Sequence, residues 1–365
     1  MSDTRAALAK ALAWLCTSVR VTESGSPDCG AILHGVDGRT RKRLDVYTEI
    51  TGYAVSLFQF LARTLGEASL LAMANEAAQF LMRIQADQSA YPQPSGIAGP
   101  ARLYAFDTAV CVVGMARLLR ATGDERYRQS AITAGEWLLG LQRPDGSFSA
   151  MALRGKGIED PGGFFGDGSC IHAKNAIAFL ELHAITGREQ FREAAARACR
   201  YTLTLQDTDG AFWNRPNQPS VFTHAHCYAC EGLLYAGHVL GERGYMAAAR
   251  RGIQWLADTQ RSDGAWLANR KTPWSLRGTL ESIQRPRPSD AAAQAARLFS
   301  LTAPRYEQNR LAALQFLMGC QKSDGAFYYQ RTAFGYNQKL YTWCAQFALQ
   351  ALNWNTCSAE IEDLF

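Results

Sequence analysis

Four segments of this chain share one pattern and recur at an interval that points to a ring or stack of similar units. They are LQRPDGSF (141–148), LQDTDGAF (205–212), TQRSDGAW (259–266) and CQKSDGAF (320–327), or Q-x-x-D-G-x-aromatic. IQADQSAY (84–91) is a degraded copy, and SPDCGAIL (26–33) reads as another. The aspartates at 28, 87, 145, 209, 263 and 324 are spaced 54 to 64 residues apart, enough for two helices and their loops. An amphipathic stretch precedes each copy, as in ERYRQSAITAGEWLLGL and REQFREAAARACRYTLTL, with apolar residues at three- and four-residue steps. A more apolar stretch follows each copy, over 46–65, 103–122, 168–186, 222–240, 288–301 and 339–353. ATGDE, ITGRE and LGERG read as glycine helix stops followed by new starts. No alternating strand pattern is expected. Six hairpins with half-polar first helices and apolar second helices predict an all-α fold. It is an (α/α)6 toroid of two concentric rings, one domain over 1–365, with Asp-Gly turns reversing the chain.

Composition narrows the function classes. Hydrophobic content of 47% with 19% charged residues predicts a protein with a large core. A formal charge of +5, partly in Arg39-Thr-Arg-Lys-Arg43, does not predict nucleic-acid binding without interleaved aromatics. The N-terminus lacks a signal-peptide layout, and no apolar run reaches the roughly 18 residues of a membrane span. Ten scattered cysteines suit reduced thiols, so a cytoplasmic protein is expected.

The Q-x-x-D-G-x-[FW] repeat resembles that of the squalene–hopene cyclase and protein prenyltransferase β-subunit toroids. The same architecture occurs in six-hairpin glycosidases, polysaccharide lyases and sugar epimerases. YTEITGY (47–53), HCYACEGLL (226–234), SDAAAQAARLF (289–299) and KLYTWCAQFALQAL (339–352) look closest to toroid proteins associated with surface-polysaccharide synthesis. The resemblance covers nearly the whole chain. It lacks the D-x-D-D of class II terpene cyclases and the D-D-x-x-D of class I prenyl-diphosphate enzymes. Asp167 and Cys170 of GDGSC stand one residue too far apart for the prenyltransferase zinc pattern. The departures put carbohydrate chemistry ahead of isoprenoid chemistry.

In such a toroid the cavity opens at the N-terminal ends of the inner helices. A polar stripe on a helix that is otherwise apolar all round needs an explanation. Steps of four and seven residues place His224, Tyr228 and Glu231 on one face, and Asp290, Gln294 and Arg297 on another. Glu49, Asp107, His172, His224, Tyr228 and Asp290 are the candidate catalytic set. Tyr47, Tyr53, Lys174, Glu231, Arg297, Lys339, Tyr341 and Trp343 are candidates for holding substrate. Carboxylates, imidazoles and phenols are what sugar hydrolysis, lyase or uronate-epimerase chemistry uses. The acids could instead bridge helices, and the histidines could be satisfied core residues. His34 is expected to be exposed; His183 and His238, near helix ends, are expected to be structural.

His224 and His226 point about 200° apart on a helix, so they form no chelate, and no metal and no cofactor is expected. The expected partner is an oligosaccharide or polysaccharide, possibly anionic with Arg41, Lys42 and Arg43 at the rim, and no nucleic acid or membrane span. A non-catalytic sugar-binding scaffold and an isoprenoid cyclase or prenyl-transfer enzyme stay open as alternatives. The oligomeric state is not legible in the sequence.

Overall fold

In the computed structural model, residues 2–85, 89–93, 100–216, 220–270, 285–302 and 304–365 are described. The repeated turns share one build. Gly146, Gly210, Gly264 and Gly325 all take positive φ, between 83° and 97°, a region open to glycine at no steric cost. The preceding aspartate caps the turn. Asp145 Oδ1 accepts from the Ser147 amide at 2.9 Å, and Asp209 from the Ala211 amide at 3.1 Å. The closing aromatics Phe148, Phe212, Trp266 and Phe327 are buried. Asp87 lies outside the described residues.

The repeat glutamine binds one hairpin to the next. Its amide donates to the glycine carbonyl of its own turn and to a carbonyl on the following outer helix. Gln142 reaches Ala194, Gln206 reaches Ala248 and Gln260 reaches Asn309, at 2.8–2.9 Å. Gln321, from the last copy, reaches Ala7 at 2.9 Å and so closes the ring. A Cβ on the repeat glycines would fall 2.0 to 2.5 Å from a carbonyl oxygen of that next helix, Lys10 in the case of Gly325. Gly30 (φ 90°) meets Glu76 in the same way, so the first copy is a working repeat.

The outer ring is α1 (Ser2–Ser18), α3 (Ala68–Gln85), α5 (Glu125–Leu141), α7 (Glu189–Leu203), α9 (Arg243–Thr259) and α11 (Glu307–Gly319). The inner ring is α2 (Thr48–Leu65), α4 (Ala105–Thr122), α6 (Asn175–Thr186), α8 (Thr223–Leu240), α10 (Ser289–Leu301) and α12 (Thr342–Asn353). The expected (α/α)6 toroid is the observed fold. Inner helices are buried nearly all round: in α8 every residue from Thr223 to Gly237 is buried except His224. Gly123, Gly187 and Gly241 end inner helices in the left-handed conformation, as their sequence context predicts.

Strands do occur, contrary to expectation, though each has only two or three residues and so carries no alternation. β1 (Gly35–Asp37) pairs with β10 (Lys339–Tyr341), and β2 (Arg102–Tyr104), β3 (Met151–Leu153) and β4 (Gly157–Glu159) form a three-stranded sheet. β5 (Val221–Phe222) pairs with β6 (Asn269–Arg270), and β7 (Arg287–Pro288), β8 (Gln330–Thr332) and β9 (Gly335–Tyr336) form another sheet. All pairings are antiparallel, and β1, β2, β5, β7 and β10 lie at the mouth end of the inner ring. The third inner element opens with a 3-10 turn, Cys170–Lys174, before α6 begins. That turn changes which of its residues share a face.

Candidate active site

An aromatic residue stands at the N-cap of four inner helices: Tyr47, Tyr104, Phe222 and Tyr341. None of them caps its helix with its side chain. The next residue does the anchoring instead. The hydroxyls of Thr48, Thr223 and Thr342 donate to the carbonyls of Pro92, Leu267 and Leu33 at 2.5–2.7 Å. The amides of Thr223 and Thr342 donate to Ala268 and His34. These bonds hold the helix starts against the repeat loops, with Tyr47 and Tyr104 turned into a cavity of about 220 Å³.

Two carboxyls share that cavity. Asp107, in the first turn of α4, is buried, and its Oδ2 has no hydrogen-bond partner among the described residues. Burial, then the neighbouring Glu49 charge, hold its pKa well above the usual range. Glu49, in the first turn of α2, is half-buried because its side chain lines the cavity. Burial raises it to about 7, opposed by the Lys174 charge and a hydrogen bond from Tyr53. Both acids therefore hold a proton more tightly than a solvated carboxyl does, through burial and, for Asp107, the neighbouring Glu49 charge.

Across the cavity His224 presents its ring edge to Tyr228, centroids 4.5 Å apart. Its Nδ1 lies 3.3 Å from Asp290 Oδ2, which accepts a 2.8 Å bond from Trp343 Nε1. Burial, partly offset by Asp290, lowers the His224 pKa, so the imidazole is neutral at physiological pH. Asp290 stands behind His224 and Trp343 and is not part of the cavity wall.

The remaining wall is aromatic. His34 stacks on Tyr47 (4.7 Å) and Trp343 (5.2 Å), and Trp343 stacks on Tyr341 (4.2 Å). Phe106 packs on Tyr228 at 4.8 Å, while Phe164 and Phe165 reach over His224 and Tyr104.

The structure thus brings Glu49, Asp107, His224, Tyr228, Tyr47 and Trp343 together, with Asp290 and Tyr341 behind them. Several expectations change. His172 packs away from the cavity against Phe148, because the 3-10 turn rotates it, and burial drops its pKa to about 4. Lys174, Glu231, Arg297 and Tyr53 sit outside the cavity lining, in a closed cluster with the backbone oxygen of Phe365. Lys339 is on the rim, paired with Asp37 at 3.2 Å. Asp167 is bound to Arg143 and to the Ala150 amide. Arg41 pairs with Asp324 and Arg43 with the Arg20 carbonyl, and neither lines the cavity.

His34 is half-buried in the wall rather than exposed, because Leu33 and His34 supply the carbonyls that fasten Thr342. His183 and His238 make end contacts, with the Arg188 carbonyl and Glu362. Sequence reasoning also missed Tyr104, Phe106, Phe164 and Phe165. The recurring aromatic-Thr pair at 47–48, 222–223 and 341–342 was the available signal for the N-cap ring.

His224 and His226 diverge as helical geometry requires. His226 Nδ1 accepts from the Phe212 amide at 3.1 Å, and its Nε2 lies 3.0 Å from the Gly252 carbonyl, to which it donates in that tautomer. All ten cysteines are free thiols, and among the described residues no three His, Cys, Asp or Glu side chains converge as a metal site. No helix among the described residues is long and apolar enough to cross a membrane.

Comparison with known proteins gives two kinds of likeness. Residues 102–341 match the squalene–hopene cyclase C-terminal domain family. A drimenyl diphosphate synthase of Streptomyces showdoensis is 32% identical over 151 residues, 40% of this chain and 25% of that protein. A probable squalene–hopene cyclase of Sinorhizobium fredii is 24% identical over 168 residues, 44% of this chain and 25% of that one. The matched region spans a quarter of the length of either relative. Among solved structures, a sugar epimerase from a ruminal bacterium superposes with a TM-score of 0.79 at 14% identity, covering 96% of this chain and 98% of that one. A D-mannose isomerase (TM-score 0.72, 13% identity) and an unsaturated glucuronyl hydrolase specific for heparin (0.70, 13%) each align over 96% of both chains. At such identities the likeness is one of fold.

Proposed function

This chain belongs to the squalene–hopene cyclase C-terminal domain family, and we propose that it is an enzyme acting on a neutral oligosaccharide by acid–base chemistry. The carrying observation is the Glu49–Asp107 pair, two carboxyls that line one cavity and that burial holds above the usual carboxylate range. Asp107, which keeps the proton, serves as general acid to a glycosidic oxygen. Glu49, which gives it up near neutral pH, activates water, and hydrolysis is the reaction such a pair suffices for. His224, neutral and backed by Asp290, offers a hydrogen bond to a sugar hydroxyl, and the His34–Trp343 stack offers a flat apolar face. The cavity wall described contains no Lys or Arg, which favours a neutral sugar over a uronate.

The test combines binding and turnover on a panel of neutral and uronate di- and trisaccharides. Neutral sugars should quench Trp343 fluorescence and be cleaved. Glu49→Gln and Asp107→Asn should each lower kcat/KM by about 10² to 10⁴. Full activity in both variants refutes the assignment, and binding without product at any pH supports a sugar-holding scaffold instead.

A second reading rests on the aromatic wall itself. Tyr104, Phe106, Phe164, Phe165 and Trp343 could face a carbocation, with Asp107 protonating an alkene. It predicts that allylic isoprenoids, and not sugars, quench Trp343 and yield cyclic products.

A further inference from the structure

The cationic side chains that the first cavity lacks gather around a second one, at the other end of the ring. His224 and Tyr228, near the start of α8, line the first cavity, whereas Leu234 and His238, near its end, line the second. At 1.5 Å per residue His224 and His238 stand about 21 Å apart along the helix. The second cavity, of about 680 Å³, lies between the α8–α9 and α10–α11 hairpins. Met246, Arg250 and Gln254 follow one another at steps of four on α9 and so present one face to it. Leu234, Met246, Leu301 and Ile361 form its apolar part, and the last three are only half-buried.

Arg250, Arg251 and Arg305 also line this cavity, and no carboxylate among the described residues does. Arg251 donates to Gln206 Oε1 at 2.5 Å and Arg305 to Gln254 Oε1 at 2.7 Å, both neutral amide oxygens. Arg250 makes no ion pair or hydrogen bond among the described residues. Gln254 Oε1 also accepts from the Tyr306 hydroxyl at 3.0 Å, and its Nε2 donates to Asp258 at 2.7 Å. Arg305 is thereby fixed in place with most of its five N–H groups unused. Glu362, the nearest acid on this side, is taken up by His238 at 3.1 Å. Three guanidiniums around one cavity repel one another, and an anion between them reverses the sign of that interaction.

We propose that this second cavity binds an organic phosphate with an apolar stem. Arg250, Arg251 and Arg305 hold the phosphate, and the stem lies on Met246, Leu301 and Ile361. Guanidinium forks match phosphate oxygens, and a phosphate monoester brings three of them and up to two charges, enough for three arginines to share. A bare phosphate would leave the half-buried apolar strip wet, and the volume is that of a small-molecule site. The proposal is independent of the sugar reading, since the two cavities share no lining residue among those described.

Octyl phosphate, kept below its critical micelle concentration, is the probe, titrated calorimetrically into the full chain. It should bind at one site, at least tenfold more tightly than inorganic phosphate. It should exceed by the same factor dimethyl octyl phosphate, the same stem with the charge removed. Arg250→Gln and Arg305→Gln, at exposed positions that leave the fold intact, should each weaken binding tenfold or more, as loss of a charge-assisted hydrogen bond does. Added salt should weaken it further. No binding, equal binding of the neutral ester or of inorganic phosphate, or unchanged affinity in either arginine variant overturns the proposal. Binding only to phosphatidylglycerol vesicles overturns it too, and would make this end of the ring a membrane-facing surface instead.

Discussion

Replacing Gly325 by alanine isolates the contact that closes the ring. Two costs arise. At φ 97° the new Cβ imposes left-handed strain of about 1–2 kcal/mol. It would also stand 2.0 Å from the Lys10 carbonyl oxygen, so α1 must move outward. That movement stretches the 2.9 Å bond from Gln321 to Ala7, and loss of such a bond costs about 0.5–1.5 kcal/mol, more if the buried groups stay unpaired. The sum is about 1.5–3.5 kcal/mol. Gly187 is the internal control: its φ is 67°, yet a Cβ there meets no atom of the described residues within 4 Å. Gly187→Ala should therefore cost only the strain, about 1 kcal/mol. For 365 residues the unfolding entropy is about 0.8 kcal/mol/K, so Tm should fall about 2–4 °C in the first variant and about 1 °C in the second. Urea unfolding followed by far-UV circular dichroism measures the difference between them. Equal losses in the two variants would mean that the close approach to α1 contributes nothing and that the ring is not held by its repeats.

Further consequences concern the site. Glu49 has its pKa raised in the folded chain, so the native state binds more protons than the unfolded state between about pH 4.5 and 7. Its contribution is present below about pH 4.5 and is lost as pH rises through 7. Glu49→Gln should therefore gain about 1–3 kcal/mol on wild type between pH 5 and pH 8, read by urea midpoints at the two pH values, and a flat difference would refute the shift. His226→Ala orphans the Phe212 amide and the Gly252 carbonyl and should cost about 2–4 kcal/mol with sugar binding unchanged. His224→Ala should cost under about 1 kcal/mol and lower kcat/KM tenfold or more. Reversal of that pattern would exchange the roles of the two histidines.

The ring was legible because its specification is local. A glutamine, an aspartate and a glycine at fixed spacing build a turn, and its glutamine and glycine both meet the next outer helix, so each copy repeats one contact. The degraded copy at 26–33 works in the same way, with Gly30 against α3. The first-turn acids Glu49 and Asp107 were also readable, since a polar residue at the start of an all-buried helix has few destinations. Helical geometry alone separated His224 from His226.

Depth and facing were not readable. Lys174, Glu231 and Arg297 fit a helical stripe as well as His224 does, but periodicity says nothing of height along the ring axis, and they lie outside the cavity wall as one ion cluster. His172 was misplaced because a 3-10 turn replaced the expected α-helical start. His34 and Phe165 come from loops whose positions depend on backbone bonds to distant strands and helix starts. The sequence by itself determined the toroid, because its repeat contacts are local and nearest-neighbour. Only the tertiary structure decided which polar groups share the cavity, because six helices buried on every side offer each of those groups more than one place to go.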